Sequence, residues 1–533
     1  MTLSLVIQLL ALAMPYYLQW VVDEVLLSHD APLLTVLAVG FAMLVLFKVL
    51  ASAIRSYLVL RLSSMMNMQL GVNLFNHLLK LPLCYFERRH VGDLVSRFGS
   101  LGAIREQLTT GFATAVVDGM MAVAVLLIMF LYSSQLTFVV LAAIGLYTVV
   151  RLGFYQPLHH ATEESIRAKA KEQSNFLENL RAIQTIKLFT AEPLRLSLWQ
   201  NRYAEVINAD IRLGKWTVGF ESARSLLFGL ENVVVIYLAA SMVRSGSLTV
   251  GMLLAFMAYK TQLSERLADF IEQLVAFRML RLHLDRIADI ALEDIEARRE
   301  PRVTLDRVRG RLELQGVSFR YGRDQPWVLR ELNLTVEAGE CLALSGPSGC
   351  GKTTLMKIML GLLEPEEGRV LIDGGDITEL GLLQYRRQVA AVMQDDTLLT
   401  GSVLDNLCFF DPEVNVAKVQ DCAQRAAIDS AIDRMPMGYN SLVGDMGNEY
   451  SGGQVQRLLL ARALYQDPKI LLMDEATSHL DSENEAYIAE QVAQLAMTRI
   501  VIAHRQETLR KADRIMVLDA GKLVSPPAMP GGQ

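Results

Sequence analysis

The sequence predicts two domains of different kinds in one chain: an α-helical membrane domain of six transmembrane helices with long cytoplasmic extensions, followed by an α/β phosphate-loop nucleotide-binding domain. Three observations carry this prediction. Residues 1 to about 280 contain long uncharged apolar runs, whereas the chain from about 300 onward has the charge pattern of an ordinary α/β protein. The run Gly346-Pro347-Ser348-Gly349-Cys350-Gly351-Lys352-Thr353 fits G-x-x-x-x-G-K-[ST] and directly follows the apolar stretch Cys341–Ser345, where a buried strand feeds a helix. Lys and Arg are concentrated in two connections of the apolar half. The boundaries read from these shifts are 1–285 for the membrane domain, 286–310 for a linker and 311–524 for the nucleotide domain, with a disordered Pro/Gly tail at 525–533.

A bilayer core of about 30 Å needs about 20 apolar residues per helix. Six stretches reach that length, approximately Leu3–Val22, Pro32–Ser52, Gly111–Tyr132, Leu136–Tyr155, Ala223–Val243 and Leu248–Leu274. The last is interrupted by Lys260, Glu265 and Arg266 and reads as a long helix leaving the membrane. The first lacks the basic start and small-residue cleavage site of a signal peptide, and Tyr16, Tyr17 and Trp20 suit interfacial anchors, so a retained span is expected. The basic connections carry Arg55 to Arg105 and Arg167 to Lys215, while the short turns carry almost no positive charge. The bias of basic residues toward the cytoplasm therefore puts both connections, and the nucleotide domain with them, on that side of the membrane. Asp118, Glu231 and Asn232 are costly in lipid; helix-to-helix packing and substrate-path lining are both open for them.

A formal charge of −6 without a basic face gives no case for nucleic-acid binding. Cys84, Cys341, Cys350, Cys408 and Cys422 show no metal-ligand or C-x-x-C spacing, so reduced thiols are expected rather than disulfides.

In the second half, the glycine loop and helix start present successive N–H groups and a positive dipole end to the phosphates of ATP. Lys352 adds a point charge and Thr353 a hydroxyl for Mg²⁺, with Thr354 also in reach of the nucleotide. Ile470–Asp474 is an apolar strand ending in Asp474 and Glu475: one carboxylate to hold the Mg²⁺ shell, the other to polarise the attacking water as general base. Ser451-Gly452-Gly453-Gln454 opens another helix with a hydroxyl and two glycines, a second anion cradle. One nucleotide needs only one. The economical reading is that this second cradle closes on the γ-phosphate held by another copy of the domain.

With that residue set the chain resembles an ATP-binding cassette exporter, a half-transporter with the membrane domain first, over nearly its whole length. The resemblance implies that Tyr321 stacks on adenine, that Gln394 senses Mg²⁺ and the attacking water, that Ser451 and Gly453 touch ATP in the opposite subunit, and that His504 is the switch histidine at the γ-phosphate. Val443-Gly444-Asp445-Met446-Gly447 is similar to the exporter loop that touches the intracellular helices; Leu81 to Leu94 and Asn179 to Phe189 resemble coupling-helix regions. Two positions depart from the pattern: Tyr450 stands in place of Leu, which implies tuning of the ATPase, and His479 in place of Ala. Ser478-His479-Leu480-Asp481 with Arg505-Gln506-Glu507-Thr508 resembles the colicin V and bacteriocin exporters. Members of that subfamily carry a leader peptidase before the membrane domain; the earliest cysteine here is Cys84, so no peptidase activity is expected from these residues.

The function implied is ATP-driven export of a peptide or bacteriocin-type cargo by a homodimer with alternating access, using ATP and Mg²⁺ and surrounded by membrane lipid. A periplasmic adaptor and outer-membrane channel are admitted as further partners. Export of lipids or hydrophobic drugs is the alternative, because the spans carry no cargo code. A non-transport cassette ATPase would share the soluble motifs, but six spans argue against it.

Overall fold

The structure is a computed structural model, described here for residues 2–28, 31–89, 91–296, 308–444, 450–474, 482–503 and 509–524. It divides into two compact units, Met1–Leu81 with Phe86–Asp294, and Pro82–Tyr85 with Ile295–Gln533.

The first unit is helical. Its main helices are α1 (Thr2–Trp20), α2 (Ala31–Leu78), α3 (Val91–Glu106), α4 (Phe112–Tyr132), α5 (Ser134–Arg181), α6 (Glu192–Arg244) and α7 (Val250–Ala291). Five helical stretches are long and apolar enough to cross a membrane: Leu3–Val25, Ala31–Leu78, Val91–Tyr132, Ser134–Arg181 and Glu192–Arg244. The sixth expected span forms α7, but Lys260, Glu265 and Arg266 keep it out of that apolar set. Helices α2, α5 and α6 are 48, 48 and 53 residues long. At about 1.5 Å per residue each is more than twice as long as a bilayer core is thick. The tight turns follow from side-chain caps. Ser133 leaves the helical region and accepts the Leu136 N–H at 3.4 Å, and Thr249 does the same for Met252 at 3.0 Å.

Polar bonds tie the spans. Asp118 accepts from Arg266 at 2.7 Å, while Glu231 and Asn232 accept from Lys260 at 2.8 and 2.9 Å, so all three expensive polar residues are spent on helix pairing with α7. Near the start of α7, Asp23, in a π-helical turn that follows α1, accepts from Thr249 Oγ1 at 2.5 Å and from the Gly251 N–H at 2.9 Å. A Cβ on Gly251 would lie 2.5 Å from the Asp23 carboxyl carbon, so only glycine admits this cap. Away from the spans, α5 and α6 are stapled along their length: Arg212 to Glu164, Ser165 to Asp210, Trp199 to Glu172 and Arg195 to Glu178. The hydrogen bond from Ser165, followed by that from Lys169, holds the Asp210 carboxyl below its usual range.

The second unit carries two main sheets. β1 (Leu312–Phe319), β2 (Leu329–Val336), β4 (Glu367–Ile372) and β5 (Gly375–Asp376) form an antiparallel sheet in the order β2-β1-β4-β5. The other contains β3 (Cys341–Ser345), β6 (Val389–Val392), β9 (Ile470–Asp474), β10 (Thr498–Ile502), β11 (Arg514–Asp519) and β12 (Lys522–Val524), ordered β12-β11-β3-β10-β9-β6. All its pairs are parallel except β11 with β12. Parallel strands are buried on both faces, which explains why Ile470, Leu471 and Leu472 are all fully buried in succession. β7 (Gly401–Ser402) and β8 (Leu442–Val443) make a separate short ladder. A first core packs the two sheets around Leu355, Met356 and Ile358; a second packs helical residues such as Leu458 and Ala461 against Val392 and Leu471.

All five cysteines are free thiols. Burial pushes the Cys422 thiol up to about 11 and raises that of Cys341 too, which makes them poor nucleophiles.

Candidate nucleotide site

The sheet order explains how distant motifs meet. β3 and β9 flank β10, all parallel, so the loop after β3 and the carboxylate ending β9 emerge at one edge. The loop turns at Gly346, with φ +147°, where a Cβ would lie 2.2 Å from the Leu518 carbonyl oxygen. Gly351, with φ +103°, then starts α8 (Lys352–Met359) from a left-handed conformation that other residues rarely take. Replacing Gly346 by Ala is expected to push the loop off β11 and to lower ATP affinity at least tenfold, measured by nucleotide titration.

Lys352 is buried, and its ammonium donates to the Gly346 and Pro347 carbonyls, each at 2.9 Å. Thr353 donates its hydroxyl to Asp474 Oδ2 at 2.8 Å, and Asp474 is only 3 % exposed. Hydroxyl, carboxylate and the nearby Gln394 amide are hard oxygen donors, a set that fits Mg²⁺. A cavity of about 340 Å³ brings together Tyr321, Ser348, Gly349, Gly351, Lys352, Thr353, Thr354, Gln394 and Asp474. Tyr321 and Thr354 join their hydroxyls at 3.1 Å. Gly346 and Cys350 shape the loop without lining this cavity, and Val328 is a wall residue that no motif pointed to.

Ser451, Gly452, Gly453 and Gln454 do not line it. They start α9 (Gly452–Tyr465) with a reciprocal cap: Gln454 N–H to Ser451 Oγ at 3.3 Å, and Ser451 N–H to Gln454 Oε1 at 2.9 Å. Tyr450 packs on the helical core and donates its hydroxyl to the Leu442 carbonyl at 3.4 Å, which anchors this turn to β8. Glu475 and His504 lie outside the described residues, as do Asp445 to Gly447, Ser478 to Asp481 and Arg505 to Thr508.

Sequence reasoning missed the brace behind Gln394. Asp396 accepts the Met393 N–H at 2.9 Å, and Arg462 on α9 donates to the Thr397 carbonyl at 3.2 Å and to the Asn406 carbonyl at 2.9 Å. Burial raises the Asp396 carboxyl and lowers the Arg462 guanidinium from their ordinary values. A basic residue 65 positions beyond its partner leaves no local signal; only its place on the helix that begins at Ser451 could have drawn attention to it.

Comparison with known proteins agrees with this geometry. Residues 1–267 match the family model for the ABC transporter transmembrane region, and 329–478 the model for the ABC transporter domain. The chain is 40 % identical over 515 residues to the "Probable microcin-H47 secretion/processing ATP-binding protein MchF" of Escherichia coli, covering 96 % of this chain and 74 % of that one. It is 39 % identical to the colicin V secretion/processing ATP-binding protein CvaB of Escherichia coli, with the same coverage. The structure of a bacterial Atm1-family ABC exporter with ATP bound superposes with a TM-score of 0.90 at 27 % identity, covering 98 % of this chain and 93 % of that one. The chain belongs to the ABC transporter family and is a multi-pass membrane exporter with an ATP-hydrolysing cassette.

Proposed function

We propose that two copies of this chain form a homodimer that exports a peptide of the bacteriocin type across the bacterial inner membrane, with the cassettes in the cytoplasm. The observation that carries the dimer is the split nucleotide set. The cavity around Lys352 lacks Ser451–Gln454, whose capped helix start is a complete anion cradle with no phosphate loop of its own beside it in that cavity. The membrane unit supports the same reading. Beyond its expected span, α2 still exposes Tyr57, Leu60, Met65, Met68 and Phe75, an apolar face that a second copy would cover. The names of the relatives at about 40 % identity, microcin H47 and colicin V secretion proteins, support a peptide cargo.

In this mechanism Lys352 and the loop N–H groups hold the β and γ phosphates, and Tyr321 receives the adenine. Thr353, Asp474 and Gln394 would hold Mg²⁺, which would supply positive charge to offset that building up on the transferred phosphoryl group. Glu475 takes the proton of the attacking water, and His504 contacts the γ-phosphate. Ser451 and Gly453 complete the site from the partner. ATP drives the membrane domain only by binding the closed pair better than the open pair. The domain boundaries near residues 285 and 311 separate the element that moves cargo from the element that binds fuel.

Protein in lipid vesicles, assayed for ATPase stimulation by leader-bearing peptides, lipids and hydrophobic drugs, tests the cargo. Peptide stimulation supports the reading; response to lipids or drugs alone replaces it. Lys352→Ala is expected to raise the Kd for ATP by tenfold or more, since a charged hydrogen bond to phosphate contributes about 1.5–3 kcal/mol. A strictly monomeric protein at full ATPase rate, indifferent to changes at Ser451, would overturn the dimer.

A further inference from the structure

A cavity lined largely by polar residues lies between α6 and α7. It encloses about 190 Å³ and is lined by Arg224 and Phe228 on α6 and by Lys260, Thr261, Ser264 and Glu265 on α7. Lys260 and Ser264 are about 15 and 21 Å along α7 from its first residue, by the helical rise, which puts them deep in a bilayer. Charged and hydroxyl groups at that depth mark functional sites by default.

The donors there are not all used. Lys260, 5 % exposed, gives one N–H to Glu231 and one to Asn232, and its third ammonium proton has no acceptor among the described residues. Ser264 is 9 % exposed and its hydroxyl has no hydrogen-bond partner among the described residues. A buried unmade hydrogen bond costs about 1–3 kcal/mol, so this hydroxyl is set up to receive an acceptor. Arg224 makes one long ion pair among the described residues, with the exposed Glu221 at 4.0 Å. Thr261 spends its hydroxyl proton on the Met257 carbonyl at 3.0 Å and offers no donor. Glu265 is the one carboxylate among the residues lining the cavity, and its side chain is exposed. Glu231 already pairs with Lys260, which leaves Arg224 as the second cation lining the cavity.

We propose that this cavity binds a carboxylate of the exported peptide, with Ser264 and the third Lys260 proton as donors, Arg224 as counter-charge and Phe228 as the apolar wall. At about 30 Å³ per water the space holds roughly six waters, enough for a carboxylate and its first shell. This rests on the peptide-export reading.

The test is reaction of the Ser264→Cys protein in vesicles with anionic sulfonatoethyl and cationic trimethylammonioethyl methanethiosulfonates. Labelling is followed by mass spectrometry of the peptide carrying position 264 and normalised to the reagents' rates with a small free thiol. The anionic reagent should be favoured about tenfold, and the preference should fall at least about threefold when Arg224→Gln is added. Thr261→Cys provides a second labelling position at the rim. Two acetylated test peptides without acidic side chains, identical except for a C-terminal carboxylate or carboxamide, then compete with labelling; a second pair, both amides, differs in one internal Glu or Gln. Protection by either acid and by neither neutral partner supports the proposal. Equal labelling by both reagents overturns it, and so does anionic preference without protection by either acid. Failure of the cargo reading shows separately, as ATPase activity that no peptide stimulates.

Discussion

Replacing Glu475 with Gln is expected to leave ATP binding unchanged while cutting turnover by two orders of magnitude or more, the scale of a lost general base. Asp474 is fixed by its strand, by burial and by the 2.8 Å bond from Thr353. Glu475 is the next residue in the sequence, one position past the strand end that holds Asp474. Gln keeps the shape but cannot take a proton. Binding energy then accumulates without discharge, so the two cassettes should stay closed on ATP, seen as a nucleotide-dependent rise in cross-linking between cysteines placed on each copy. Hydrolysis at the parent rate would remove Glu475 from its role.

The second large effect concerns stability. Lys260 and Glu231 Oε2 form a 2.8 Å ion pair whose side chains are 6 % and 3 % exposed, and Glu231 Oε1 has no hydrogen-bond partner among the described residues. Removing one member strands a charge in a poorly polarisable setting, so Lys260→Met is expected to cost about 3–5 kcal/mol. Replacing both, Lys260→Met with Glu231→Leu, should return most of that loss, because a well-packed apolar pair avoids desolvation altogether. Thermal denaturation of the four proteins of this cycle, in detergent, measures the coupling. If the single variant melts with the parent, the pair is not stabilising the bundle.

What could be read from the sequence was what is local. Gly346 to Thr353 is contiguous, and the strand before it and the helix after it are coded by the residues on either side. Asp474 was legible because an apolar strand announces its own end. Six apolar runs could be read from hydropathy; the last, on α7, was the interrupted one, and two of its charges, Lys260 and Arg266, answer to partners on other helices. Arg266 pairs with Asp118, 148 positions away, and Lys260 with Glu231, 29 positions away. In the sequence those residues are interruptions; in the fold they are neutralised. The Asp23 cap on α7 was hidden for the same reason: 228 residues separate it from the Gly251 N–H it satisfies, and Gly251 itself reads as an ordinary glycine. The brace from Arg462 to Thr397 likewise needs the third dimension.

The stapled pair α5 and α6 has a mechanical consequence. Two parallel rods bonded at intervals resist flexing far more than one, so a push at one end turns the pair instead of bowing it. At about 1.5 Å per residue, the 48 residues of α5 make a lever of about 72 Å. A tilt of about 10° about one end would carry the far tip through about 12 Å, by the same rise. A small turn of such a pair at one end would therefore arrive at the other as a much wider sweep.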